Sequence, residues 1–182
     1  MMMIIKILKN LLVLFSVLVI QVSIVPNIPA LSGILNFALV VIIFMAVSYD
    51  YNVGIIYAVI IGLVLEMYST LPYGFILLAL IGTLVMVNFV STRILTNKSF
   101  YSLVGQILLA TLFYGIIIFL YKVIYTSGAS QVFVAIEQQG LKSIYNLLWR
   151  VVANIMTVTI IFFLFHFSSK RFKAVYIDTT KA

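Results

Sequence analysis

An all-α integral membrane protein with six transmembrane helices is the fold class this sequence predicts, and three observations predict it. Of its residues 65% are hydrophobic and only 8% charged, against about 45–50% apolar and about 25% charged in soluble domains. Mean hydropathy is +1.28. Apolar runs near the roughly 20 residues that cross a bilayer recur along the chain. No polar stretch is large enough for a second unit, so residues 1–182 read as a single membrane domain.

The first helix is expected over Ile4 to Val25. Lys6 and Lys9 precede its apolar run and mimic a signal peptide. No small-residue cleavage site follows, so the reading is an uncleaved helix stopped by Pro26 and Pro29. The second, short, runs from Ile34 to Tyr49 and is closed by Asp50 and Asn52. The third covers Val53 to Leu71 and the fourth Tyr73 to Leu95. The fifth covers Leu103 to Tyr125 and the sixth Ile144 to Phe167. A basic tail over 168–182 completes the chain. The one long loop is Thr126 to Lys142. Within it Gln131 to Gln139 suits a short interfacial helix that Gly140 would end.

Lysine and arginine set the orientation. With six crossings both termini share a side. Lys6, Lys9, Arg93, Lys98, Lys170, Arg171, Lys173 and Lys181 then lie on it, and only Lys122 and Lys142 lie opposite. That imbalance puts the termini in the cytoplasm. The net charge of +7 therefore belongs to helix orientation and anionic lipid rather than to nucleic acid.

Enzyme chemistry is poorly represented. There is no cysteine, which excludes disulfides and thiolate catalysis. The single histidine, His166, has no carboxylate at helical spacing and reads as interfacial. No zinc-protease, nucleophile-elbow or phosphate-loop motif occurs. Neither a metal nor a cofactor is expected. A pore would want a polar stripe along one span, and none runs the length of any.

The informative residues are the few polar ones inside apolar runs. Glu66 would lie about 7–8 Å from the outer end of helix three, and Arg150 about 9 Å from the same surface on helix six. Gln21, Asn36 and Asn154 fall near that level. An intramembrane charge costs about 2.5–3.5 kcal/mol on insertion scales, and the eight aliphatic residues around Glu66 return roughly 2.4–4.8 kcal/mol. Helix three thus inserts with little margin unless Glu66 finds a partner. The expectation is an ion pair with Arg150, the amides filling the remaining hydrogen bonds. Snorkelling of each charge to the interface is the alternative.

Helix three also carries Gly54, Ala58, Gly62 and Glu66 four residues apart, a small-residue ridge for close packing. It packs inside the bundle or against a partner. Pro72 and Gly74 then form a tight turn.

The segment GLVLEMYSTLPYG, from Gly62 to Gly74, resembles the signature of the MreD family of bacterial rod-shape proteins, approximately G-L-L-L-D-L-L-S-G-S-P-L-G. Gly62, Glu66, Ser69, Pro72 and Gly74 fall on the family's glycine, acid, serine, proline and glycine without a gap. Glu66 stands where the family usually has aspartate, and Thr70 replaces the second glycine. Chain length, helix number and the basic tail also fit. The resemblance implies a bundle similar to the substrate-binding (S) subunits of energy-coupling-factor vitamin transporters. It implies a non-enzymatic subunit of the bacterial inner membrane that binds MreC, a single-span protein. Through it the MreB filament would be coupled to the glycosyltransferase and transpeptidase of the elongasome and so to peptidoglycan synthesis. A vitamin-binding S subunit is the rival reading. Such subunits usually show an A-x-x-x-A face on helix one, and LLVLFSVLVIQVSIV has no alanine.

Overall fold

The computed structural model describes residues 2–94 and 100–168. The expected tail after Ser168 and Lys98 lie outside the described residues, and the side chains of Lys6, Lys9, Lys122, Lys142 and His166 are likewise outside them. The described chain is helical with short turns. α1 spans Met2–Val19, α2 Phe37–Ser48, α3 Tyr51–Met67, α4 Phe75–Ile94 and α5 Phe100–Ser168.

α1 does not end cleanly. It widens into a π turn over Ile20–Ile24, where the Val25 amide bonds to the Ile20 carbonyl, and then tightens to a 3₁₀ turn over Val25–Asn27. Pro26 is the cause. It has no amide hydrogen, and its ring crowds the carbonyl four residues back. Shifting the hydrogen bonds by one residue relieves both problems and turns Gln21 toward the bundle.

α2 corrects the second expected span. It holds 12 residues, about 18 Å, which is well short of a hydrocarbon core of about 30 Å. Residues 31–35 form turns, with Gly33 at φ +74°. Every residue from Ala38 to Met45 is buried, as expected of a helix that is apolar all round. α2 is the pin of the bundle, packed by α3 and α5.

α3 starts after Asp50, an N-cap residue whose side chain accepts from the Tyr51 amide at 2.8 Å. It stops at Met67, four residues before the expected end. Its ridge is internal. A Cβ on Gly54 would lie 2.6 Å from the Ala46 Cβ of α2, one on Gly62 would lie 3.1 Å from the Leu77 Cα of α4, and Ala58 is fully buried. The Tyr57 hydroxyl donates to the Asn10 carbonyl at 3.3 Å and ties α3 to α1.

α5 corrects the expected loop. Backbone from Phe100 to Ser168 is helical throughout, Gly140 included. It is not one rod. Thr111 and Asn154 are 43 residues apart, about 65 Å along a straight helix, yet their side chains are 3.0 Å apart. The Phe100 and Phe162 rings lie 5.0 Å apart in a tilted contact. α5 is therefore two antiparallel arms, reversing between Gly115 and Leu147, which touch.

The described residues form six helical rods. Four segments among them are long and apolar enough to cross a membrane: Asn10–Asn27, Phe75–Arg93, Phe100–Tyr121 and Tyr145–Leu164. α2 and α3 are shorter and sit among them.

Candidate functional site

Because α2 is short, its N-terminus lies inside the bundle rather than at a surface. The first amides of a helix have no partner within it. Left unpaired in an apolar setting, each would cost about 1–3 kcal/mol. Three amide side chains from three elements prevent this. Gln21 Oε1 accepts from the Ala38 amide at 3.0 Å, and Asn36 Oδ1 accepts from the Leu39 amide at 3.1 Å. Asn154 Oδ1 accepts from the Asn36 amide at 3.1 Å. Asn154 Nδ2 donates to Thr111 Oγ1, which itself donates to the Ile107 carbonyl at 2.8 Å. Asn154, only 1% exposed, thereby joins α2 to both arms of α5.

Above this cap lies a cavity of about 850 Å³. Its lining includes Gln21, Asn36, Thr111, Tyr114, Arg150 and Asn154. Arg150 Nε donates to the Gly33 carbonyl at 3.0 Å and fastens the 28–36 turn to the returning arm of α5. The Tyr114 hydroxyl approaches the Asn36 side chain and Arg150. Of the described lining residues, Arg150 alone is charged.

The structure thus brings Gln21, Asn36, Asn154 and Arg150 around one cavity, but not Glu66. Glu66 is 6% exposed, and its Oε1 accepts from the Leu77 amide in the first turn of α4 at 2.9 Å. Its other oxygen is buried without a partner. The expected Glu66–Arg150 ion pair is not formed among the described residues. The reason is local. α3 ends one residue beyond Glu66, so the carboxylate meets the start of α4, where free amides and the positive end of the helix dipole attract it.

The rest of that segment serves the same corner. Gly62 lets Leu77 approach. Ser69 Oγ accepts from the Leu71 amide at 3.0 Å, and the Pro72 carbonyl accepts from the Phe75 amide at 3.1 Å. Gly74 takes φ +92°, which disfavours any side chain. Gly62, Glu66, Ser69, Pro72 and Gly74 together build the α3–α4 turn.

Sequence reasoning missed Thr111, Tyr114 and Gly33. Thr111 and Tyr114 sit in an ordinary apolar run, and only the reversal of α5 brings them to Asn154. Among the described residues no group of three or more histidine or acidic side chains is placed to hold a metal.

A family model described as rod shape-determining protein MreD matches residues 1–168. No curated protein and no solved structure matches the chain.

Proposed function

The chain belongs to the MreD family of rod shape-determining membrane proteins, and from that premise we propose that it is a non-enzymatic subunit of the elongasome in the bacterial inner membrane. It binds an MreC-like single-span protein. Through that partner it helps couple MreB to the glycosyltransferase and transpeptidase that build peptidoglycan. Both termini face the cytoplasm. The observation that carries this reading is the family match across 168 residues.

The use of polar groups supports a scaffold. Gln21, Asn36, Asn154 and Glu66 each satisfy backbone amides. The ridge of α3 is consumed inside the bundle, so it is not the face offered to a partner. The open face of α3 is the stripe Ile56, Ile60, Leu63 and Met67, exposed at helical spacing. A single transmembrane helix can lie along such a stripe by van der Waals contact.

The test is depletion of the protein in its host together with affinity purification of the tagged chain. Rounded cells and recovery of a single-span partner with a coiled-coil segment are the expected results. Unaltered rod shape, with lost uptake of a vitamin, would establish the transporter reading instead.

A further inference from the structure

We propose that the cavity above α2 binds one anionic phosphate group, with Arg150 as its counter-charge. Four observations lead there. The volume, about 850 Å³, lies within the usual range for a ligand site, about 300–1,000 Å³. Arg150 uses only Nε, on Gly33, and its remaining guanidinium donors have no partner among the described residues. Among the described residues no acidic side chain lines the space, because Glu66 is engaged at Leu77. Finally, the positive end of α2 forms the floor and is capped by neutral amides alone, which leave its partial charge uncompensated.

A guanidinium with donors to spare and no counter-charge beside it attracts an anion, and its planar fork of donors suits phosphate. The walls are mixed: Val22, Leu65, Leu71 and Ile118 give them apolar stretches between polar groups such as Ser69, Thr70 and Tyr114. The site therefore accommodates either a free phosphate or the head of an anionic phospholipid whose chains run along those apolar stretches. The shared chemistry is the phosphate oxygens on Arg150. This cavity is distinct from the outward stripe of α3, so the proposal stands whether or not that stripe binds a partner.

The experiment uses the full chain in nanodiscs of phosphatidylcholine with or without phosphatidylglycerol. Lipid retained after detergent extraction is counted by native mass spectrometry, and thermal unfolding is followed alongside. Expected are selective retention of one phosphatidylglycerol per chain and a raised Tm. Arg150→Gln should lower retention about tenfold or more, the scale of a lost charge-assisted hydrogen bond, and Arg150→Lys should restore part of it. Arg93→Gln should change nothing, since Arg93 lies at the far end of α4 over the Phe89 ring. Stabilisation by inorganic phosphate in lipid-free detergent, lost in Arg150→Gln, would support the site and identify a free anion as the ligand. Equal retention of both lipids with no effect of phosphate overturns the proposal, as does an unchanged Arg150→Gln. Should Arg150→Gln fail to fold, Gln21→Glu supplies the second reading. A negative charge at the floor must abolish phosphate binding, and undiminished binding there refutes the site.

Discussion

Two helix N-termini in this protein solve one problem in different ways. α2 begins inside the bundle and α4 at the turn that follows α3, and in both places free amides need acceptors. At α4 the acceptor is Glu66, an acid supplied by the preceding helix. At α2 the acceptors are Gln21 and Asn36, with Asn154 holding the cap in place. An acid answers both a free amide and the dipole, so the charge at the α4 corner is met within the chain, with the second oxygen of Glu66 buried unpaired. Amides answer only the hydrogen bonds. The α2 end keeps its positive partial charge and faces a cavity with an arginine in its wall. One terminus has its charge answered by the chain itself, and the other is left electrically open.

Removing the keystone of the open terminus should have the largest effect. Asn154→Leu leaves the Asn36 amide unpaired and cuts the bond to Thr111, for a loss of about 3 kcal/mol. Reversible unfolding in mixed micelles measures this, and a loss under about 1 kcal/mol would mean that the cap is not structural. The closed terminus comes next. Glu66→Leu should cost about 2 kcal/mol and Glu66→Gln about 1 kcal/mol, because glutamine keeps the acceptor and loses the attraction to the dipole. Equal losses would show that charge plays no part at α4. Transplanting the α4 solution sharpens the contrast. Gln21→Glu should stabilise the protein in phosphatidylcholine by about 0.5–1 kcal/mol, seen as a higher Tm. The smallest effect belongs to the outward stripe. Ile60→Ala, at 39% exposure, should change stability by under about 0.5 kcal/mol while lowering recovery of the single-span partner.

Much of the site could be read from sequence, because polar residues in apolar runs are conspicuous. Gln21, Asn36, Arg150 and Asn154 stand out for that reason, and the structure gathers them. What the sequence hid was how they are used. Hydropathy finds the apolar run from Ile34 to Tyr49 but cannot say that Asn36 starts a helix inside the bundle. Asparagine is a favoured N-cap, and Gly33 precedes it, so a local signal existed. Glu66 was paired with the wrong group because a backbone amide carries no mark in sequence. Residues 126–142 are polar enough to suggest a loop, yet their backbone is helical, since glutamine, lysine and glutamate favour helix and isolated glycines are tolerated.

The brevity of α2 also has an electrical side. Where the cavity fills with water it carries little of a membrane voltage, so the drop is not spread evenly over about 30 Å at α2. It falls over the remaining apolar column, about 18 Å long. A helix with about half a charge at each end, lying across that whole drop, gains or loses about 1 kcal/mol for every 100 mV. The most deeply buried helix of the bundle, though short, is thereby coupled to the energised state of the membrane as a full-length span would be.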